Sequence, residues 1–423
     1  MDVNGGSVAI NIEGLASSIE DTMSHDLLPL SPKCCIFKTP NTIQRQKEKA
    51  FIPAAFSFGP LHHGHLKLKA TENIKAMYLR GLISRLSRWE TRKEMLVDFI
   101  ASIKAVEKEA REYYGEPINY TSEEFVKMLV IDGCFIIEVF RKGAYEELRE
   151  KDDPIFTASS MLQFLYHDLI LVENQVPWNV LERLFNMTME PRHNEPLTQL
   201  AVRFMRVSFS IAPPPSKILP IQDVKHVVDL LRKWLISFTA KEECKSQWRL
   251  IPSVTTLVEA GVKFRKGTSE SILDIEFSEG ILKIPPLLVH EISDDIFRNL
   301  IAYEQCHPGC EGRLTSYAIF MDNLINTTND LDILCENEIV DNWLNPEDSI
   351  RFFNKLYHNA FVQEFYYGSL CNQVNRYCQR RWPRWRSVLV RNYFNTPWAI
   401  LSTLAAVILL ILSFLQTWYT IKN

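Results

Sequence analysis

Hydrophobic residues recur at helical spacing through most of this 423-residue chain. Residues 71–89, TENIKAMYLRGLISRLSRW, place apolar side chains three and four positions apart, which predicts an amphipathic helix. Residues 121–142, TSEEFVKMLVIDGCFIIEVFRK, begin with a cap-like Thr-Ser before two glutamates and are then apolar on nearly every face. This second pattern predicts a central, buried helix.

Helical patterns continue along the chain and are interrupted at prolines. Residues 159–185 predict two helices that are broken between Asn174 and Pro177, because a proline disfavours a helical conformation in the residue before it. A further helix is predicted at 222–238, after the extended connector APPPSKILP. Helical spacing returns at 290–305, 315–337 and 347–370.

One region has a different pattern. Residues 262–289, VKFRKGTSESILDIEFSEGILKIPPLLV, contain short alternating and β-branched runs around a Ser-Glu-Gly turn, which predicts a β hairpin. The fold class is therefore mainly α with a small β element (α+β). A helical domain is predicted over 34–385, and the connector at 211–220 leaves open its division into two lobes. Residues 1–33, rich in glycine, serine and acidic residues, predict a mobile leader.

The C-terminal end is uncharged over residues 392–421. Its central part, 398–419, reads WAILSTLAAVILLILSFLQTWY and would form a helix of about 33 Å, close to the hydrocarbon thickness of a bilayer. Aromatic residues of the kind that favour lipid headgroups stand at both ends, Trp398 at one and Trp418 with Tyr419 at the other. A buried core helix is the alternative, but few core helices are apolar on every face over this length. The pattern predicts a transmembrane helix at 398–419 and a short tail at 420–423.

The flanking charges predict how the span is oriented. Six arginines precede it, namely Arg376, Arg380, Arg381, Arg384, Arg386 and Arg391, and only Lys422 follows. The positive-inside rule therefore places the large helical head on the cytoplasmic side, with the plasma membrane as one candidate location. The basic juxtamembrane linker, 386–397, and the arginines before it either rest on anionic headgroups or form a solvated connection. Three glycosylation sequons, at Asn119, Asn186 and Asn326, would matter only if the head lay outside the cytosol.

Composition narrows the range of partners. A net charge of −4 and the absence of a basic, aromatic-interleaved surface segment in the head argue against nucleic acid. The nine cysteines are scattered without regular spacing, which favours reduced thiols over a disulfide framework. The N-terminus lacks the early positive charges and continuous apolar core of a signal peptide.

The stretch GPLHHGH places His62, His63 and His65 within four positions of a loop rich in turn-forming residues. A metal site is one interpretation, but zinc needs three or four converging ligands, and adjacent imidazoles rarely point at one centre. No HExxH motif, CxxC pair or nearby carboxylate completes such a site. A structural or peptide-contacting loop is the preferred interpretation.

The second chemical candidate is CHPGC, with Cys306, His307 and Cys310. A zinc site there would need His290 or Cys335 brought close by folding, so a Pro-Gly turn with incidental cysteines is preferred. A small-loop disulfide would be the alternative if the head lay outside the cytosol.

Signatures of other chemistry are missing as well. The sequence has no GxSxG elbow and no glycine-rich phosphate loop. Asp132, Glu138, Glu173 and Asn174 stand in apolar surroundings, where polar groups usually satisfy helix ends and backbone amides. We therefore predict no catalytic residue, no cofactor and no metal.

Several long motifs, in order, resemble the plant family known as domain of unknown function 247, also designated UPF0481. The resemblance rests on CCIFKTPNTIQRQKEKAFIPAAFSFGPLHHG, FVKMLVIDGCFIIEVFRK, DLILVENQVPWNVLERLF, LVEAGVKFRKG, ILDIEFSEGILKIPPLLV, NLIAYEQCHP and TSYAIFMDNLINTTNDLDILCENEIVDNWL, and on the C-terminal segment. The family opening more often has valine-serine-isoleucine before its Gly-Pro, where this chain has AFSF at 55–58. The resemblance implies a land-plant protein with no established enzymatic activity, cofactor or catalytic residue. Similar members lie at grass self-incompatibility loci and are proposed to act in pollen-side recognition.

The sequence as a whole favours a non-enzymatic, single-pass plant membrane protein whose head acts as a protein-interaction module in recognition or signalling. The alternative is a membrane-tethered enzyme with a metal- or thiol-based site near GPLHHGH or CHPGC. A scaffold that organises other membrane proteins would differ from the first hypothesis only in its partners. The protein partners are not predicted by the sequence.

Overall fold

The computed structural model describes residues 11–24, 31–45, 47–87, 91–209, 221–239, 249–358, 360–362, 364–379 and 397–422. Its helices are α1 (Ile12–Ser24), α2 (Asn41–Gln44), α3 (Lys69–Leu86), α4 (Arg92–Lys104), α5 (Glu107–Glu112), α6 (Ser122–Ala144), α7 (Ser159–Ile170), α8 (Trp178–Met187), α9 (Leu197–Met205), α10 (Val227–Ile236), α11 (Val254–Glu259), α12 (Ser293–Cys306), α13 (Arg313–Leu324), α14 (Thr328–Glu336), α15 (Pro346–Lys355), α16 (Gly368–Cys378) and α17 (Pro397–Lys422). Its strands are β1 (Lys263–Lys266), β2 (Glu276–Ser278), β3 (Ile281–Ile284), β4 (Leu287–Val289) and β5 (Val340–Asn342). The predicted class, mainly α with a small β element, is confirmed.

The predicted central helix is α6. It begins with a capping box in which the Thr121 side chain accepts the Glu124 N–H while the Glu124 carboxylate accepts the Thr121 N–H. Sixteen of its 23 residues are buried, because α3, α4, α8 and α9 pack around it. A glycine in a helix costs about 1 kcal/mol relative to alanine. Here close packing explains two of them, since a Cβ on Gly133 would lie 2.5 Å from Leu184 of α8, and one on Gly143 would lie 2.6 Å from Phe204 of α9.

The predicted break before Pro177 is also present, because α7 ends at Ile170 and α8 begins at Trp178. The seven-residue connection between them contains Glu173, Asn174 and Gln175, all of which are buried. Buried polar side chains in a connection must find hydrogen-bond partners. The connection is therefore a point where distant parts of the chain meet.

The β hairpin lies at Glu276–Ile284. Its strands β2 and β3 are antiparallel and joined by Glu279 and Gly280, which have φ angles of 51° and 80°. Positive φ at both loop residues is the geometry of a type I′ turn, which matches the twist of paired strands. The remainder of 262–289 is not part of this hairpin: β1 pairs with β3 in parallel, and β4 pairs in parallel with β5 in a separate sheet.

The core of the head is one continuous cluster of buried side chains that extends from Cys35 to Val374. Helix α17 contributes nothing to this core. Within the described residues it is the one helix long and apolar enough to cross a membrane, with mean hydropathy 2.2 over Ile400–Ile421 and none of that window buried. The connector at 211–220 lies outside the described residues, and so does the linker predicted at 386–397 except for Pro397, which is the first residue of α17.

Candidate functional site

The histidine loop follows an irregular segment, residues 54–59, whose backbone is held by side chains instead of by a neighbouring strand. Asp168, in the last turn of α7, accepts the N–H groups of Ala54, Ala55 and Phe56 at 2.7, 2.8 and 2.6 Å. This carboxylate has no exposed surface. Hydrogen bonds from backbone amides to a buried carboxylate are short and strong, and here they satisfy donors that would otherwise be buried without partners.

Asn174, in the connection after α7, continues the same arrangement. Its Oδ1 accepts the Phe58 N–H at 2.7 Å, and its Nδ2 donates to the Phe56 carbonyl at 2.9 Å. One amide side chain thus pairs with the segment as a neighbouring strand would. A second bond from Nδ2 to the carbonyl of Asp168, at 2.9 Å, fixes the amide itself.

The segment ends on a buried ion pair between α3 and α6. Asp132 Oδ2 accepts the Gly59 N–H at 2.9 Å, and its Oδ1 pairs with Lys75 Nζ at 2.7 Å. Lys75 is fully buried, pairs with Glu72 as well at 2.7 Å, and donates to the carbonyl of Ser57. Burial lowers the pKa of Lys75, but the Asp132 and Glu72 carboxylates raise it by more, so the ammonium stays charged. Breaking such a pair would leave an uncompensated buried charge.

The turn at the end of this segment requires glycine at position 59. Its φ is +67°, and a Cβ there would lie 2.5 Å from the carbonyl oxygen of Gln175. The same carbonyl accepts the Tyr114 hydroxyl at 3.0 Å. The Gln175 carbonyl therefore packs against Gly59 and is itself held in place by Tyr114.

The three histidines do not converge. His62 Nε2 lies 3.6 Å from Glu173 Oε2, while the other Glu173 oxygen accepts the Thr39 N–H at 2.8 Å. The His63 ring lies edge-on to Tyr120, with ring centroids 5.7 Å apart, and His65 is exposed. In the part of the chain that the structure describes, no three His, Cys, Asp or Glu side chains are placed to hold a metal. The geometry suits a structural loop that presents one imidazole to solvent.

The CHPGC segment forms the turn after α12. Gly309 has φ +79°, and the His307 Nδ1 lies 2.8 Å from the Pro308 carbonyl oxygen. Burial raises the pKa of the Cys306 and Cys310 thiols to about 11, so both are protonated at neutral pH and are poor nucleophiles. The eight cysteines among the described residues are all free.

The residues suggested as additional zinc ligands lie elsewhere. His290 Nε2 is 3.2 Å from the Ser208 carbonyl oxygen, and its ring faces Trp343 with centroids 6.5 Å apart. Cys335 lies in the last turn of α14. Folding therefore does not complete a metal site around CHPGC in the described residues.

Two buried ionic clusters were missed by sequence reasoning. Glu138 of α6 pairs bidentately with Arg85 of α3 at 2.7 and 2.8 Å and with Arg141 at 3.2 Å. Glu304 of α12 accepts the Arg232 guanidinium at 3.2 Å and the N–H of Thr315, in the first turn of α13, at 3.0 Å. Every carboxylate in these clusters is occupied by a structural partner. Neither cluster presents a free acid–base pair.

The signal that would have found Lys75 is a polar residue on an apolar face. Thr71, Lys75, Tyr78 and Leu82 repeat at helical spacing and are all buried on the core face of α3. A lysine at a core position requires a buried partner. The sequence does not say which carboxylate that partner is.

The residues expected to anchor the protein in a membrane divide into two groups. Trp398, Trp418 and Tyr419 lie on α17 and are exposed. Arg380, Arg381, Arg384 and Arg386 lie outside the described residues.

A family model described as a plant protein of unknown function, domain of unknown function 247, matches residues 36–412. The chain belongs to this family. It is similar to the UPF0481 protein At3g47200 of Arabidopsis thaliana, with 26% identity over 413 residues that cover 91% of this chain and 85% of the relative. It is also similar to a second Arabidopsis thaliana UPF0481 protein, At3g02645, with 20% identity over 508 aligned positions that cover 96% of this chain and 93% of the relative.

No solved structure matches this chain. The family match confirms the resemblance inferred from the motifs. It carries no activity with it, because the family is described as one of unknown function.

Proposed function

We propose that this protein is a non-enzymatic, single-pass membrane protein whose helical head acts as a protein-interaction module in recognition or signalling. The observation that carries the proposal is helix α17, which is uncharged over Ile400–Ile421, has a mean hydropathy of 2.2 and has no buried residue in that window. Ten large apolar side chains between Leu401 and Leu415 are exposed. At about 2 kcal/mol each, leaving them in water would cost on the order of 20 kcal/mol. A cost of this size favours a lipid environment for the helix.

The chemistry of the head supports a binding role over catalysis. The buried carboxylates at positions 132, 168 and 173 accept backbone or side-chain hydrogen bonds. The thiols of the CHPGC turn have raised pKa values. Catalytic groups usually have a pKa matched to proton transfer and a free approach for substrate. A head tethered to a membrane gains effective concentration toward partners in the same membrane without any new contact.

We further propose that the head faces the cytoplasm, at the plasma membrane. The support is the six arginines before the span against one lysine after it. The anionic cytoplasmic leaflet attracts juxtamembrane basic residues by about 1 kcal/mol each. The tethered-enzyme hypothesis receives no specific support from the geometry.

Alkaline carbonate extraction of the full chain tests the anchoring. The full chain should stay in the membrane pellet, and a variant with Leu404, Leu409, Leu410 and Leu412 all replaced by arginine should move to the supernatant. Four arginines near the centre of a span cost about 12 kcal/mol, and the four lost leucines remove about 8 kcal/mol of apolar burial, which together offset the gain estimated above. The matched control, with the same four leucines replaced by isoleucine, should behave as the full chain does. Release of the unmodified chain into the supernatant would exclude membrane anchoring.

The native sequons report the orientation. Asn119, Asn186 and Asn326 are all exposed, so an oligosaccharide would fit at each position. A cytoplasmic head predicts no mobility shift on glycosidase treatment of protein from plant cells. A shift that disappears when all three asparagines are replaced by glutamine would place the head on the other side. Turnover of a hydrolase or transferase substrate that is lost with Cys306→Ser or His63→Ala would overturn the non-enzymatic assignment.

A further inference from the structure

The three-stranded sheet, in the order β1, β3, β2, has one face in the core and one face in solvent. Phe264 of β1 and Leu282 of β3 are paired and buried, and successive residues of a strand point to opposite faces. The opposite face, which we call the outer sheet face, carries two cross-strand rows of side chains: Lys263, Ile281 and Ser278 in one, and Arg265, Lys283 and Glu276 in the other. Of these six, Ile281 is half-buried and the other five are exposed. The outer sheet face is therefore an open, mainly polar surface.

The outer sheet face is positively charged. Arg265 lies directly beside Lys283 in the register of β1 and β3, and like charges at such positions destabilise a sheet. On its other side Lys283 has Glu276, at 3.5 Å. Within the part of the chain that the structure describes, Lys263 and Arg265 form no ion pair. Three cations and one carboxylate give the face a net charge of +2, which Glu279 in the adjoining turn reduces without cancelling. A negatively charged partner would relieve this repulsion.

The sheet lies against the last helix before the anchor. The ring of Tyr377, in the last turn of α16, is edge-on to Phe277 of β2 with centroids 5.7 Å apart, and it closes on Gly280 in the hairpin turn. The Lys263 N–H donates to the Gly280 carbonyl at 2.8 Å, so one row of the outer sheet face begins beside this contact. Helix α16 ends at Cys378, two positions before the first of the arginines that lie between it and α17. The outer sheet face therefore belongs to the part of the head that continues directly into the membrane segment.

The chemistry of the outer sheet face fits lipid headgroups better than a protein partner. Protein interfaces usually centre on aromatic or arginine anchors that become fully buried in pockets. This face has no aromatic side chain and a single aliphatic one, the half-buried Ile281. An anionic leaflet needs no pocket, and each basic side chain near it strengthens the attraction about fivefold. Because salt screens the attraction within about 8 Å at physiological ionic strength, it acts only where the cations lie against the headgroups.

We propose that the outer sheet face rests on the anionic headgroups of the membrane that contains α17. Lys263 and Arg265 pair with the phosphate or carboxylate groups of the lipids, and the same anions relieve the repulsion between Arg265 and Lys283. The proposal rests on the membrane anchoring and the cytoplasmic orientation proposed above. It adds a fixed orientation of the head on the leaflet, and this orientation decides which surfaces of the head stay available to protein partners.

The test is amine labelling of the full chain in lipid nanodiscs with a neutral acetylating reagent, read for each lysine by mass spectrometry. One set of nanodiscs contains phosphatidylcholine alone, and the other contains a two-to-one mixture of phosphatidylcholine and phosphatidylserine. Lys263 should be acetylated more slowly in the anionic nanodiscs, by about threefold or more, because the headgroups cover it. Two exposed lysines outside the sheet, Lys108 of α5 and Lys127 of α6, should react at the same rate in both sets.

Matched variants identify the surface. Arg265→Glu brings the net charge of the outer sheet face from +2 to zero, so Lys263 should then react equally fast in the two sets of nanodiscs. This substitution places an opposite charge beside Lys283 and is therefore not expected to disturb the sheet. Lys108→Glu makes the same change of net charge on α5 and should leave the protection of Lys263 intact.

The outcomes separate this proposal from the anchoring itself. If the chain does not co-elute with the nanodiscs, the anchoring is wrong and this proposal falls with it. If the chain co-elutes but Lys263 reacts equally fast with and without phosphatidylserine, or if Lys108→Glu removes the protection as Arg265→Glu does, the lipid contact is refuted and the anchoring stands. Protection of Lys263 by a soluble glutamate-rich peptide in phosphatidylcholine nanodiscs, without a response to phosphatidylserine, would assign the face to an acidic protein instead.

Discussion

Protonation of His226 should destabilise the head as the pH falls. His226 precedes α10 and has no exposed surface. Its Nδ1 accepts the Asp229 N–H at 3.3 Å as the helix N-cap, and its Nε2 lies 3.2 Å from the Cys35 carbonyl oxygen. One nitrogen accepts and the other donates, which is the pattern of a neutral imidazole. Burial lowers the pKa of His226 from its ordinary 6.5 to about 4.

The direction and the size of this loss of stability follow from the linkage between proton binding and folding. Between pH 6.5 and pH 4 the unfolded chain binds this proton and the folded chain does not, so stability is complete above pH 6.5 and is lost as the pH falls toward 4. A difference of about 2.5 pKa units corresponds to about 3 kcal/mol in total, of which about 2 kcal/mol is already lost at pH 5. For a head of roughly 350 residues this equals about 3 °C in melting temperature at pH 5.

Thermal unfolding followed by tryptophan fluorescence in a non-ionic detergent measures this loss. Carboxylates also respond to acid, so the relevant quantity is the difference between the natural chain and His226→Asn. Asparagine is a good N-cap and does not titrate. The natural chain should melt at a higher temperature at pH 7, and the gap should narrow by about 3 °C at pH 5. An exposed control, His65→Asn, should follow the natural chain. Parallel melting curves for the natural chain and His226→Asn would refute the reasoning.

Three further predictions concern packing and chemistry. Gly133→Ala should destabilise the head by about 1–3 kcal/mol in denaturant titrations, because the added methyl meets a leucine of α8 at 2.5 Å. The control, Gly81→Ala, has 3.6 Å to its nearest neighbouring atom and should instead stabilise the head by up to about 1 kcal/mol. Equal effects of the two substitutions would contradict the packing argument. Asp168→Asn should lower the free energy of unfolding by about 3 kcal/mol or more, since an amide oxygen accepts fewer of the three backbone donors than a carboxylate does. The backbone amides of residues 54–56 should then exchange hydrogen faster in this variant. Unchanged protection of these amides would contradict the role assigned to Asp168. Cys306 and Cys310 should react with iodoacetamide at pH 7.5 about two orders of magnitude more slowly than an unperturbed thiol, because their pKa of about 11 leaves little thiolate. Rates near that of free cysteine would show that these two thiols are not buried in the turn.

Local patterns were sufficient where the cause is local. The capping box at Thr121, the helix break before Pro177 and the two-residue turn at Glu279 each depend on residues within four positions of one another. The long apolar run at the C-terminus likewise predicts its own helix. In these cases backbone geometry and nearest-neighbour chemistry decide the conformation.

Distant pairings were beyond what the sequence shows. Strand β4 pairs with β5, about fifty residues later, because folding brings them together and not because either run is distinctive. The role of Asp168 in holding residues 54–56 could not be predicted, because these backbone partners lie more than a hundred positions earlier in the chain. Glu138 and Glu173 were identified as buried polar residues, but their partners Arg85 and Thr39 were not.

The segment at 54–59 has a consequence for how the protein meets others. A stretch of backbone without a neighbouring strand can become a template to which a foreign strand adds, which leads either to peptide capture or to aggregation. Here Asp168, Asn174 and Asp132 accept five of its amide N–H groups. An incoming strand would have to displace these buried oxygens to pair with the segment. Even at high local concentration, strand exchange through this part of the molecule is therefore not expected.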